Sequence, residues 1–130
     1  MITLKVVSVH SVGIDLIEVE RIEATIARYG NRFLTRVFTE NELQYCRGQA
    51  HQLAARFAAK EAVSKALGTG IQHRRGAAWR EIEVVSDEHG KPTIHLTGAA
   101  ARRAAQLNLH SFAISLSHRR AHAVAMVVAE

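Results

Sequence analysis

From Gln49 to Leu67 the chain carries neither glycine nor proline and is dominated by alanine, the strongest helix former. Leu53, Phe57, Ala58, Ala62 and Ala66 recur at helical spacing and predict one narrow face of small residues. Alanine leaves room for another backbone, or a ligand, to approach closely. The rest of the core must also be built from small side chains, because aromatic residues make up only 5% of the 130 residues while hydrophobic ones reach 48%. That length suits one domain spanning residues 1–130, with a core of Ala, Val, Ile and Leu thin enough to favour further burial between subunits.

The remaining elements follow from periodicity. Leu4 to Ile17 is rich in Val and Ile and predicts a strand. Val19, Ile22, Ile26 and Tyr29 recur at helical spacing, and Gly30 marks the stop. Asn31–Phe38 forms a second short segment. Thr39 and Glu42 have the spacing of a capping box for a helix that ends near Gly48. After Gly68-Thr69-Gly70, residues His73–Gly76 predict a basic turn. Glu81–Ser86 and Pro92–Leu96 predict a hairpin with Pro92 at the start of its second strand. Thr97 is placed to cap a helix of small residues reaching Leu107. Phe112–Ser117 and His122–Val128 predict two strands joined by His118-Arg119-Arg120-Ala121. Segregated strands and helices predict an α+β fold with antiparallel sheet packed on helices.

The formal net charge of +5 directs the chain toward an anionic partner. Sparse aromatics argue against stacking on bases. A single cysteine, Cys46, excludes an intrachain disulfide and fits a reducing compartment. No apolar run approaches the length of a membrane span, and no leader pattern precedes the first strand, so a cytoplasmic protein without membrane contact is expected.

Three places have the residue types for chemistry. Asp15 interrupts an apolar strand, where a carboxylate needs a partner. Its ordinary reading is a helix cap or an ion pair with an arginine. Glu61 and Lys65, four apart, share a helix face and would ordinarily form a surface pair. Phe57 lies on that face one turn earlier, which points away from solvent. Asp15 and Glu61 together suit a hard divalent cation that also binds phosphate oxygens, with Lys65 adding a point charge. His118 reads first as a hairpin-turn residue. No histidine has zinc-ligand spacing with Cys46, which reads as an inert helix residue. Gly68-Thr69-Gly70 lacks the Gly-Lys-Ser/Thr ending of a phosphate loop.

Four segments, in order, carry a resemblance. They are Val12-Gly13-Ile14-Asp15-Leu16; the run Arg56-Phe57-Ala58-Ala59-Lys60-Glu61-Ala62 with Lys65-Ala66-Leu67-Gly68-Thr69-Gly70-Ile71; Gly90-Lys91-Pro92; and Ser115-Leu116-Ser117-His118. The chain resembles the holo-[acyl-carrier-protein] synthase family, the small stand-alone class of 4′-phosphopantetheinyl transferases. The resemblance implies that Asp15 and Glu61 bind magnesium, or manganese, together with coenzyme A phosphates, and that Lys65 contacts those phosphates. It places Arg56, Gly68, Thr69, Gly70, Pro92 and His118 around the coenzyme. It implies a homotrimer with active sites at subunit interfaces. It also implies docking of an acidic acyl carrier protein on Arg21, Arg28, Arg32 and Arg36.

The implied reaction moves 4′-phosphopantetheine from coenzyme A to a carrier-protein serine, releasing adenosine 3′,5′-bisphosphate, as in fatty acid biosynthesis. Asp15, Glu61, Lys65 and His118 form the implied catalytic group. Glu61, or a water that it orients, would take the serine proton. Two rivals stand beside this reading. One is a basic nucleic-acid-binding module, with steeply salt-dependent binding and no magnesium requirement. The other is a magnesium-dependent phosphotransferase acting on a nucleotide, which would need no carrier protein.

Overall fold

A computed structural model describes residues 10–69 and 78–130. Strand β1 (Ser11–Glu18) leads into helices α1 (Val19–Tyr29), α2 (Asn31–Val37), α3 (Glu40–Cys46) and α4 (Ala50–Ala66). A 3-10 turn at Trp79–Glu81 precedes the hairpin of β2 (Ile82–Ser86) and β3 (Pro92–Leu96). Helix α5 (Gly98–Gln106) and the strands β4 (Phe112–His118) and β5 (His122–Ala129) complete the chain. One antiparallel sheet has the order β1-β5-β4, and β2-β3 forms the other. The α+β expectation therefore holds. The predicted strand residues 4–9, the turn at His73–Gly76, and Gly70 lie outside the described residues.

Helix α4 is the centre of the core. Leu53, Ala54, Ala55, Ala58, Ala59, Ala62, Val63 and Ala66 are all buried, which corrects the expectation of a single narrow face. The reason is that α4 is enclosed: β1 and β5 pack along one side, and α1, α3 and β2 pack on others. A helix that is apolar all round is the kind that sits inside a core.

Small side chains let the strand come close. Gly13 of β1 lies against the backbone of α4, and a Cβ at Gly13 would overlap the carbonyl of Ala62. The overlap is with backbone, which cannot swing aside. Gly13→Ala should therefore destabilise the protein by about 1–3 kcal/mol, the usual cost of overpacking. Urea unfolding tests this, and an unchanged midpoint would show that the contact has slack.

Other boundaries follow their local chemistry. Gly30, at φ 54°, separates α1 from α2. The capping box at α3 is complete: Thr39 N–H donates to Glu42 Oε1 at 2.9 Å, and Glu42 N–H donates to Thr39 Oγ1 at 3.3 Å. Thr97 stands at the N-cap of α5 but makes no capping bond with its side chain. Glu81 takes that role, its carboxylate accepting from Ala99 N–H. A carboxylate is the stronger acceptor at the positive end of a helix. His118 is the last residue of β4, paired with Ala123, and not a turn residue as expected.

One buried polar cluster ties three elements together. Lys60 and Glu42 have no solvent-exposed side-chain surface and form an ion pair at 2.8 Å. Lys60 Nζ also donates to the carbonyls of Trp79 at 3.1 Å and Ile82 at 2.5 Å. The other oxygen of Glu42 accepts from Val84 N–H at 3.0 Å. Every partner is thus provided, as a buried charge requires.

Candidate active site

Alternation along β1 decides what the helix meets. Gly13, Asp15 and Ile17 point toward α4, whereas Val12, Ile14 and Leu16 point away. The close approach at Gly13 brings Asp15 beside the face of α4 that carries Glu61 and Lys65, one turn apart. Lys65 Nζ donates to Asp15 Oδ1 at 3.0 Å and to the carbonyl of Ile14 at 2.9 Å. Asp15 is 18% exposed and Lys65 54%. The ordinary readings of both residues are thereby corrected. Asp15 pairs with a lysine and not with an arginine, and Lys65 reaches across to the strand instead of pairing with Glu61.

Glu61 is left as the second carboxylate. Its pKa is raised above the ordinary range, first by burial and then by the negative charge of Asp15, with Lys65 opposing the rise. Two carboxylates that repel each other in a half-buried place are the donor set that a hard cation would neutralise. Among the described residues no group of three or more acidic, histidine or cysteine side chains could hold a metal. Two carboxylates match the sparse protein ligation of magnesium, which keeps waters and substrate phosphates in its remaining positions.

Asp15 and Glu61 line a cleft of about 920 Å³. Its apolar wall includes Tyr29, Phe33, Phe57 and Trp79, and three arginines, Arg21, Arg32 and Arg36, line it as well. Trp79 stacks on Phe57 with ring centroids 4.8 Å apart, which fixes that wall. Phe57 and Glu61 share this cleft, but Lys65, one turn on, is 54% exposed, so the face is not wholly withdrawn from solvent as expected. Arg28, grouped with the arginines by spacing, lies 5.2 Å above the Tyr29 ring and is not among the cleft-lining residues. Sequence reasoning missed Trp79 and Tyr29; their only signal was that large aromatics are rare in this chain.

The other predicted site residues fall elsewhere on the chain. Arg56 is buried at the junction of α3, α4 and β2. Its Nη1 donates to Gln52 Oε1 at 3.0 Å and its Nη2 to Ser86 Oγ at 2.9 Å. Ser86 is the register partner of Pro92, so Pro92 belongs to this neighbourhood. His118 forms a third group, its ring 4.7 Å from that of His51, in a pocket also lined by Glu23, Arg119 and Arg120. Gly68 (φ 73°) and Thr69 follow the end of α4, where Arg103 Nε donates to the carbonyl of Leu67 at 3.0 Å. The hydroxyl of Thr69 is buried and has no partner among the described residues. Cys46 is buried, and burial is the main cause that pushes its thiol up to about 11, which fits an inert residue.

An α+β chain with a carboxylate pair on β1 and α4 lining a cleft with three arginines matches one family along most of its length. The chain belongs to the 4′-phosphopantetheinyl transferase superfamily, whose family model matches residues 11–127. It is 51% identical over 120 residues to a holo-[acyl-carrier-protein] synthase of Herpetosiphon aurantiacus, covering 89% of this chain and 94% of that protein. It is 45% identical to the Solibacter usitatus protein of the same name, covering 91% and 95%. The Helicobacter pylori holo-[acyl-carrier-protein] synthase, solved in complex with coenzyme A, superposes with a TM-score of 0.82 at 31% identity, covering 92% of this chain and 99% of that one. The Neisseria meningitidis synthase superposes at 0.84 with 32% identity, covering 95% and 99%.

Proposed function

We propose that this protein transfers 4′-phosphopantetheine from coenzyme A to a serine of an apo-acyl carrier protein, releasing adenosine 3′,5′-bisphosphate. The observation that carries the reading is the pair Asp15 and Glu61, on β1 and α4, lining one cleft together with three arginines. Its support is the family membership and the likeness to synthases solved with coenzyme A. Transfer is favoured over nucleic-acid binding and over a carrier-independent phosphotransferase for the same reasons. The partners in this reading are coenzyme A and an acidic carrier protein, not nucleic acid or membrane. Among the described residues no helix is long and apolar enough to cross a membrane. The lone buried cysteine suits a reducing, cytoplasmic setting.

Asp15 and Glu61 would hold a magnesium or manganese ion, which when bound supplies positive charge to the reacting phosphates. Lys65, half exposed beside Asp15, is placed to add its ammonium charge to the same anions. Arg56, the loop Gly68-Thr69-Gly70, Pro92 and His118 belong to coenzyme binding. The serine oxygen forms a bond to the β-phosphorus, and the bond from that phosphorus to the bridging oxygen breaks. The bisphosphate leaves with the bonding electrons. Glu61, or a water that it orients, takes the serine proton. The cationic groups stabilise the charge that builds on the transferred group and the leaving oxygen. Arg21, Arg32 and Arg36 on the cleft, with Arg28 beside it, receive the acidic carrier and present its serine.

The test is mass spectrometry of an apo-carrier incubated with enzyme, magnesium and coenzyme A. The expected result is the mass increment of one phosphopantetheine group, and its loss with Asp15→Ala. An Asp15→Ala protein that modifies the carrier at the wild-type rate would sink the assignment of the carboxylate pair.

A homotrimer with interfacial sites belongs to the same reading. The outer face of the three-stranded sheet carries Val12, Ile14 and Leu16 at 62%, 59% and 65% exposure, and Met126 at 49%. The register sets Val12 opposite Val128, Ile14 opposite Met126 and Leu16 opposite Val124. A continuous apolar sheet face of this kind fits burial against copies of itself. The dispersal of Asp15, Arg56 and His118 over one protomer fits sites completed by a neighbour. Ile14→Glu should convert a wild-type trimer to monomers in light scattering and remove activity. A wild-type monomer with full activity would end the trimer reading.

A further inference from the structure

Arg56 is an unusual cation. It is 2% exposed, yet among the described residues it has no carboxylate partner within ion-pair distance. Its Nη1 and Nη2 each donate to a neutral oxygen, of Gln52 and Ser86, and its buried Nε–H has no acceptor among the described residues. A buried guanidinium with neutral partners and an unpaired donor keeps its charge unneutralised. What compensates in the structure is an aromatic ring. The Arg56 Cζ lies 4.2 Å from the ring centroid of Tyr45, close enough for attraction between the cation and the ring face.

Among the described residues the Tyr45 side chain makes no hydrogen bond. It lies on the last turn of the short helix α3, remains 46% exposed, and is not part of the apolar core. A large aromatic held half in water over a buried cation is costly as packing but useful as a clamp. Cys46, the next residue, faces the interior and anchors that end of α3. The helix therefore holds the ring against the guanidinium. Gln52, one turn before Arg56 on α4, and Ser86 on β2 fix the two terminal nitrogens. Together these contacts restrict the rotation of the guanidinium before any anion arrives.

We infer that Tyr45 is a positioning residue for coenzyme A, acting through the Arg56 guanidinium that its ring holds. The inference rests on the coenzyme-binding role given to Arg56 under the proposed function. Tyr45 touches neither reacting atom, so its loss should weaken binding of the coenzyme and leave the chemical step alone.

The experiment uses full-length enzyme with coenzyme A and adenosine 3′,5′-bisphosphate as probes, each followed by calorimetric titration, alongside steady-state kinetics. Tyr45→Leu should raise the Kd for both probes and the KM for coenzyme A by about 2- to 10-fold, the factor expected from a cation–ring contact half open to water. The values of kcat and of KM for the carrier should stay at wild type. Tyr45→Phe, which keeps the ring, should bind like wild type. In the Arg56→Met background, Tyr45→Leu should have no further effect, because the two act as one unit. The inference is overturned if Tyr45→Leu binds both probes as wild type does, if Tyr45→Phe is as weak as Tyr45→Leu, or if the two substitutions add independently. A wild-type enzyme that binds neither probe would instead overturn the proposed function, and this inference with it.

Discussion

Glu61→Gln should abolish most of the transfer activity and yet make the metal-free protein more stable. The two effects share one cause. In the folded state the Glu61 carboxylate is partly buried, faces the charge of Asp15, and is only partly offset by Lys65. Among the described residues its side chain accepts no hydrogen bond that would repay the burial. Its folded pKa therefore lies above its unfolded one. A carboxylate raised in this way costs stability once the pH exceeds the raised value, and the penalty is relieved as the pH falls through it. Glutamine keeps the shape and carries no charge. In a chelating buffer near neutrality the variant should thus have the higher Tm, and the difference should vanish as the pH drops below the ordinary carboxylate value of about 4.3. Transfer should fall by at least about a hundredfold, as when one preorganised electrostatic group is removed from a site. Added magnesium should raise the Tm of wild type more than that of the variant. A variant that melts below wild type in chelator would mean that Glu61 is a structural group and not one half of a cation site.

How far the sequence alone reached depends on the range of the interaction. The strand-to-helix switch at Glu18, the capping box at Thr39, the β2-β3 hairpin and the run of α4 are all dictated by neighbours within a turn or a pleat, and each was legible. The encounter of Asp15 with α4 was legible only through the family pattern. Nothing local in either segment says that Gly13 will fit against Ala62 and so bring Asp15 to Lys65. Strand order was hidden for the same reason: β5, the last element, inserts between β1 and β4, and no short-range signal encodes it. Arg28 shows the limit of spacing arguments. It shares a helix side with Arg21, but the cleft runs along the part of α1 that Arg21 faces, and Arg28 settles over Tyr29.

Glu42 is the residue whose local pattern concealed its larger role. The spacing Thr39 to Glu42 accounts for a helix cap completely, and nothing local to Lys60 marks it as its buried partner. In the structure the two are buried together, and Lys60 links α4 to the turn and strand of the second sheet. Lys60→Met should therefore cost about 3–5 kcal/mol, because it strands a buried carboxylate. The methionine fills a similar volume, so the loss reports charge and hydrogen bonding rather than a cavity. Lys60→Met combined with Glu42→Gln should recover part of that loss, since no unpaired charge remains. Recovery should be incomplete, because the carbonyls of Trp79 and Ile82 still lack their donor. Urea unfolding of the two single variants and the double variant measures all of this, and a Lys60→Met loss below about 1 kcal/mol would show that Glu42 is neutral or hydrated in the fold. The functional consequence is specific. Lys60 holds the main chain of Trp79, and the Trp79 ring lines the cleft against Phe57. Below its melting transition, Lys60→Met should therefore raise the KM for the carrier protein more than the KM for coenzyme A, since it loosens the wall of the arginine-lined cleft and leaves the contacts of Arg56 in place.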